Sequence, residues 1–447
     1  MSNVAIFTKD QEAAITAFMD FMFDSKEKFF VIQGAAGTGK SFLLKHLADS
    51  YEAKTKVYQM MSNKKGARIS SIQFAASTNK AVAVLDNFLN GENEEEERKD
   101  KRKYLFGRHC NSRQQRISTI HKLLGLKLVN NMRTGVTELV PTNNQPYYDH
   151  TLLFIDEASF IDQELFDYIN EGTASSCKVV LVGDYYQLAP VGDDKTIMES
   201  LDCKKVVMNE VVRNSGEILK TSHNFRETVT TGIFQNIPFN NDSIIYADGD
   251  VFKQLVDDNF KVPGWHPDKA KILAWTNARV QEYNTYVRML NGLPELISVG
   301  ETVMTNSVIT AKDHMYQIDS NVTVTEIADK PAYEYDVEGR HLKINDSHWG
   351  FMPNKFSEQK RLLSRFAKEK AWGEYFAVKN GWLDLRSAYA SSVHKAQGST
   401  YEKVFVDLGD IGRNWEAEAV ARLLYVAISR GAKQVICNGK LPPRYSH

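Results

Sequence analysis

Residues 34–41 read Gly-Ala-Ala-Gly-Thr-Gly-Lys-Ser and follow the apolar run Phe29-Phe30-Val31-Ile32. A strand that runs into a glycine-rich turn and then into a helical stretch is the context of a P-loop. Gly34, Ala35, Ala36, Gly37, Thr38 and Gly39 can turn backbone N–H groups toward phosphates. Lys40 can reach the β- and γ-phosphates of ATP, and the Ser41 hydroxyl can ligate Mg²⁺. A chance match in a glycine-rich loop is the rival reading. All eight positions and the strand–turn–helix context stand against it.

A second apolar run, Leu152 to Ile155, ends in Asp156-Glu157. Asp156 can hold Mg²⁺ through its waters, and Glu157 can act as general base on the attacking water. A third run, Val180 to Gly183, leads through Asp184 to Gln187, and Gln187 can sense the γ-phosphate or orient the water. Arg213 and Arg430 lie far along the chain. A lone arginine is usually a solvated surface group, but a pair outside the P-loop region can meet transition-state charge. That pattern predicts ATP between two domains, with hydrolysis coupled to their closure. The polar run Ser392 to Thr400 holds His394, Lys395 and several hydroxyls, donors suited to a phosphate backbone.

These residues need elements to position them. Candidate strands are Phe29–Gln33, Ile72–Ala76, Leu152–Asp156 and Val179–Gly183. Candidate helices are Asp10–Phe23, Lys40–Ser50, Lys80–Leu89 and Gln163–Glu171. Such alternation predicts a parallel α/β sheet with ligands at the carboxyl ends of its strands. A second set comprises strands at Lys271–Trp275, Lys403–Asp407 and Gln434–Cys437 and helices at Ala278–Leu290 and Glu416–Arg422.

Three inserts break the pattern. Residues 91–116 pair Glu94/Arg98, Glu95/Lys99 and Glu97/Lys101 at i,i+4, which predicts a solvated surface helix, with a functional basic patch as the alternative. Residues 126–140 predict a β-hairpin, Leu126–Val129 and Val136–Val140, with Met132 and Arg133 near its tip. Residues 296–385 combine short strands (Glu301–Met304, Val322–Ile327, Tyr333–Val337, His341–Ile344) with a helical stretch, Ser357–Val378. They read as a small β-barrel-type module carrying a helical excursion.

The 447 residues are enough for about three domains. A chain that holds nucleic acid by bulk charge is usually basic; at a net charge of −1 any such contact must be a local groove, which the charge balance neither supports nor excludes. No apolar run approaches the roughly 20 residues of a membrane helix. The N-terminus lacks the pattern of a secretory signal. Cys110, Cys177, Cys203 and Cys437 are scattered and read as reduced thiols. A cytoplasmic protein is expected.

Taken in order, the motifs resemble superfamily 1 helicases of the 5′→3′ RecD-like branch. The resemblance spans nearly the whole chain. Thr8-Lys9-Asp10-Gln11 resembles the N-terminal glutamine motif, which implies that Gln11 reads adenine. Phe74 to Ala81 and Ser118 to Gly125 resemble two single-strand-binding motifs, implying DNA contacts at Thr78, Asn79, Thr119 and His121. Pro190, Asn277, Ser392, His394 and Lys395 are implied as further DNA contacts, and Gly398 as a nucleotide contact. Ser77 departs from the family, where many relatives have proline, and Gly431 stands where alanine is common.

The implied fold is α/β, with two RecA-like parallel-sheet domains. The first, 1–205, carries the hairpin 126–148 as a strand-separating pin. The second, 206–295 and 386–447, carries an SH3-like module at 296–385. The implied function is an ATP-dependent DNA helicase moving 5′→3′ on single-stranded DNA, in phage replication, recombination or repair. An RNA helicase, or a nucleic-acid-dependent ATPase without strand separation, is the alternative. Expected cofactors are ATP and Mg²⁺. Expected partners are single-stranded DNA and its junctions with duplex, and a single-strand-binding or other replication protein. A monomer with no membrane association is expected, in the host cytoplasm if phage-encoded.

Overall fold

The structure, a computed structural model, describes residues 7–62, 68–90, 116–188, 196–210, 216–261, 265–310, 315–316 and 318–445. The charged stretch 91–115, Pro190 and Arg213 lie outside them. The chain forms two compact units, residues 1–127 with 140–215 and residues 128–139 with 216–447.

The first unit opens with α1 (Lys9–Phe23). Thr8 caps it through a capping box with Gln11, and Ala14, Phe18, Phe21 and Met22 form its buried stripe. β1 (Phe29–Gly34) and α2 (Lys40–Ser62) flank the P-loop. β2 (Ser71–Ala76), α3 (Asn79–Asn90), β3 (Arg116–Thr119) and the short α4 (Ile120–Leu123) follow. The hairpin strands are β4 (Leu126–Asn130) and β5 (Thr137–Pro141), and residues 128–139 of this hairpin group with the second unit. β6 (Thr151–Asp156), α5 (Gln163–Glu171), β7 (Lys178–Gly183), α6 (Ile197–Ser200) and β8 (Lys204–Met208) complete the unit.

The strand order is β3-β2-β6-β7-β1-β8, every pairing parallel. β6 and β7 are apolar along most of their length because a parallel sheet is covered on both faces. Phe154 stacks between Phe18 (6.1 Å) and Phe74 (5.2 Å). Replacing it with alanine would cost about 3–5 kcal/mol. The expected domain boundary at 205 cuts β8, which pairs with β1. The first unit therefore runs to 215.

The second unit contains α7 (Glu217–Thr231), β9 (Ile244–Tyr246), α8 (Gly249–Phe260), β10 (Ala270–Ala274) and α9 (Asn277–Leu290). An antiparallel insert follows: β11 (Thr302–Thr305), β12 (Ile309–Thr310), β13 (Met315–Tyr316), β14 (Asn321–Ile327), β15 (Ala332–Glu334), β16 (Val337–Ile344) and β17 (His348–Pro353). Next come α10 (Phe356–Glu369), α11 (Trp372–Gly381) and β18 (Leu385–Ser387). The chain then returns through β19 (Ala390–Ser392), α12 (Val393–Ala396), β20 (Tyr401–Asp407), α13 (Leu408–Ile411), α14 (Ala417–Ser429) and β21 (Gly431–Asn438).

The order β19-β10-β20-β21-β9 makes a second parallel sheet. The insert is an antiparallel sheet, β15-β16-β14-β11-β18, with β17 on β16. It extends past the expected limit of 385, because β18 continues to Ser387 and pairs with β11. The single helical stretch expected at 357–378 is two helices. Lys370 takes a left-handed φ of 56° and gives its N–H to the Phe366 and Ala367 carbonyls, ending α10. A buried ion pair, Arg288 with Glu301, ties α9 to the start of the insert. Among the described residues no helix is long and apolar enough to cross a membrane.

Candidate active site and nucleic-acid interface

In the first unit the residues of the P-loop sit where β1 ends. Gly37 and Gly39 have φ of 81° and 78°, left-handed values that let the loop turn its amides inward. Thr38 Oγ1 donates to the Ala35 carbonyl at 2.9 Å. Lys40 Nζ lies over the loop, donating to the Gly34 (2.7 Å) and Ala35 (3.1 Å) carbonyls. Gln11 is buried; its Nε2 donates to Thr38 O at 3.1 Å while its Oε1 accepts from Thr8 N at 3.1 Å. The amide that the sequence assigns to adenine thus also joins α1 to the P-loop.

Asp156 ends β6. Burial pushes its carboxyl above the usual range, while the Lys40 ammonium and a hydrogen bond from Glu157 N pull it down. A carboxylate held beside the P-loop against desolvation is a group that a cation would stabilise, so Asp156 and the Ser41 hydroxyl fit a Mg²⁺ site. Glu157 has φ 51°, ψ 41°, a left-handed conformation that costs a non-glycine residue roughly 1–2 kcal/mol. Its carbonyl accepts from Ser77 Oγ at 2.7 Å and from Phe160 N at 3.2 Å. Strain held by specific bonds at an acid is a mark of functional sites. Gln187 is buried in the turn after β7, its N–H donating to Asp184 O at 3.1 Å.

The segments assigned to DNA share one local device. After β2, Thr78 Oγ1 accepts from Ala81 N at 3.1 Å, and Asn79 begins α3. After β3, Thr119 caps α4 through Lys122 N at 3.2 Å, and His121 lies in its first turn. After β10, Thr276 caps α9 through Arg279 N, and Asn277 begins it. After β19, Ser392 caps α12 through Lys395 N at 3.4 Å, and His394 follows. β3 and β2 are neighbours at one edge of the first sheet, and β19 and β10 at one edge of the second. Each unit therefore places two capped helix starts side by side at the carboxyl end of an edge pair. Helix N-termini favour anions.

Other assigned residues have partners of their own. Lys395 Nζ donates to Asn306 Oδ1 at 2.7 Å and pairs with Asp319 at 2.9 Å, linking α12 to the insert. Arg430 is buried, its guanidinium donating to Val426 O, Ser399 O and Ser429 Oγ. Gly398 has φ 72° in the turn between α12 and β20. Desolvation holds the rings of His121 and His394 below their ordinary pKa, with Asp162 partly offsetting this at His121.

The sequence reading did not find Asp410. Its Oδ2 accepts from Trp275 N (2.8 Å) and Thr276 N (2.7 Å), and its Oδ1 from Thr276 Oγ1 (2.9 Å). It thereby fixes the turn that delivers Asn277. No local spacing marks a contact across 134 residues.

Residues 7–237, more than half of the chain, match the AAA domain family. The chain belongs to the AAA-domain family. Residues 387–437 match the UvrD-like helicase C-terminal domain. The chain is 22% identical to an uncharacterized protein of Acanthamoeba polyphaga mimivirus, over 96% of this chain and 99% of that protein. It is 20% identical to the RecBCD enzyme subunit RecD of Buchnera aphidicola (90% and 69% covered). It is 22% identical to the ATP-dependent DNA helicase Pif1 of Campylobacter jejuni (92% and 89% covered). Among solved structures it resembles Pif1 helicase from Bacteroides in complex with ADP-AlF3 and ssDNA, at 14% identity and a TM-score of 0.48, covering 99% and 94%. These matches support placing the chain with the Pif1/RecD-like superfamily 1 helicases.

Proposed function

We propose that this helicase hydrolyses ATP to move 5′→3′ along single-stranded DNA and to part duplex DNA ahead of it, as the Dda helicase of T-even bacteriophages does. A phage-encoded role in replication, recombination or repair goes with that reading. The observation that carries it is the repeated edge pair: each parallel sheet sets two Ser/Thr-capped helix starts next to one another at its carboxyl end. Two such tracks, one per ATPase-type sheet, are what alternating grip on a strand requires. The Campylobacter relative, an ATP-dependent DNA helicase by name, agrees with DNA as the substrate.

In this reading Lys40 and the P-loop amides hold the β- and γ-phosphates, and Gln11 faces the adenine. Glu157 takes the proton of the attacking water, and Gln187 orients that water. Arg213 and Arg430 meet charge that develops on the transferred phosphoryl group. Ser41 and Asp156 would hold Mg²⁺, which would supply positive charge to the nucleotide phosphates. Thr78, Asn79, Thr119, His121, Pro190, Asn277, Ser392, His394 and Lys395 contact the strand. The antiparallel insert acts as an SH3-like support for the hairpin, whose Met132 and Arg133 part the duplex.

The test is ATP hydrolysis with DNA and RNA oligonucleotides, together with unwinding of 5′- and 3′-tailed duplexes. The reading expects DNA stimulation and unwinding of the 5′-tailed duplex only. Stimulation by RNA alone, unwinding from a 3′ tail, or hydrolysis without unwinding would overturn it.

A further inference from the structure

Ser77 lies one residue before the first strand-contacting turn, at the position where the helicase family often carries proline. β2 and β6 are neighbours in parallel register, Ala76 opposite Asp156. Residues 77 and 157 therefore leave the sheet side by side. The Ser77 hydroxyl donates to the Glu157 carbonyl at 2.7 Å. Glu157 is the left-handed residue of this turn, and its N–H is held by Asp156 Oδ1 at 2.9 Å. The peptide group on each side of the Glu157 Cα is thus anchored, one by Asp156 and the other by the Ser77 hydroxyl together with Phe160 N at 3.2 Å. Together the two anchors set the direction in which the Glu157 side chain leaves the backbone. Proline has no side-chain donor and could not make the second anchor.

We propose that Ser77 is a positioning residue for ATP hydrolysis, holding Glu157 in its left-handed turn and joining that turn to the segment that grips the nucleic acid. The proposal rests on Glu157 as the general base and on Thr78 and Asn79 as strand contacts. A strand that pulls on Thr78 moves a residue adjacent to Ser77, and the Ser77 hydroxyl passes the movement to Glu157. The link lies wholly within the first unit.

The test compares Ser77→Ala, Ser77→Thr and Ser77→Cys with the wild type in full-length protein. ATP turnover is measured without nucleic acid and at saturating oligo-dT, and oligo-dT affinity is read by fluorescence anisotropy. Losing one hydrogen bond to a positioned group predicts a kcat about three- to tenfold lower for Ser77→Ala. KM for ATP and Kd for oligo-dT should stay within about twofold of wild type. Ser77→Thr, which keeps the hydroxyl, should restore kcat. Ser77→Cys, a weak donor, should lie between them and serves if Ser77→Ala folds poorly. An unchanged kcat in Ser77→Ala, failure of Ser77→Thr to restore it, or a loss confined to oligo-dT affinity would each overturn the proposal. A wild type that no nucleic acid stimulates would remove the proposed function instead. Turnover without nucleic acid would still decide whether Ser77 acts on Glu157.

Discussion

On the proposed reading Lys40 and Glu157 face the same nucleotide with different tasks, and substitution should separate them. Lys40→Ala removes positive charge from the phosphates, so both ATP binding and turnover should fall. Glu157→Gln keeps the shape but cannot accept the water's proton, so ATP should still bind while turnover drops by about 10²-fold or more. Equilibrium binding of a fluorescent ATP analogue beside steady-state turnover distinguishes the two; near wild-type turnover in Glu157→Gln would discard the base assignment. The histidines carry a pH prediction. His121 and His394 titrate below the ordinary 6.5 in the folded protein. Below pH 6.5 the unfolded chain then binds more protons than the native one, so stability should fall on acidification until the folded pKa values are passed. Thermal melts between pH 7.5 and 5.5 should show this, and His121→Asn with His394→Asn should flatten it. At this scale the P-loop, Asp156 and Glu157 were legible because their chemistry is packed into adjacent positions. Ser77 and Asp410 were not, since each acts through a residue that only the strand order brings near.

The hairpin is the element whose role is most open to test. Its tip is preformed: Asn131 Oδ1 accepts from Arg133 N (3.0 Å) and Thr134 N (3.3 Å), and Asn131 O accepts from Gly135 N (2.9 Å). Leu128, Met132 and Val136 are exposed, so the tip offers apolar surface outward. Residues 128–139 belong to the second unit, and their support lies within it. A Cβ on Gly135 would fall 2.1 Å from the Trp372 ring of α11, and Gly135 also needs its φ of 73°. Trp372 is thus the residue placed against the hairpin tip. Gly135→Ala should therefore displace the tip. Unwinding of a 5′-tailed duplex should fall steeply while single-strand-stimulated ATP turnover persists, and trimming 129–136 to a short turn should do the same. Joint survival of both activities would refute the wedge, and joint collapse would make the hairpin a structural cover. The sequence located the hairpin because its alternation is local. It missed the break at Lys370 because neither glycine nor proline marks it.

The whole molecule repeats one plan: a parallel sheet whose edge pair ends in capped helix starts. The first sheet was mostly legible, since its strands are long apolar runs separated by clear helices. The second was less so, because β9 and β19 are three residues each, too short for a pattern, and the insert separates β10 from β19. If the two units cooperate on one nucleotide, Arg430 should act on turnover. Arg430→Lys keeps the charge but loses the planar fork, so kcat should drop more than KM rises. A pure KM effect would reduce Arg430 to an ordinary binding residue.

The neighbours β10 and β19 pair in register, Ile272 opposite Ala390, although the whole insert lies between them in the chain. Such a contact closes a loop of more than a hundred residues, and closure entropy delays it. During synthesis β19 cannot dock until the module has been made and the chain has come back. Pulsed hydrogen exchange during refolding should show the amides of β19 protected after those of β1, β6 and β7. Simultaneous protection would contradict this order. Ser392 and His394 arrive with β19, so the second pair of capped helix starts is completed after the first sheet. On the proposed reading, a partly made chain would hold a finished P-loop before its second set of strand contacts existed.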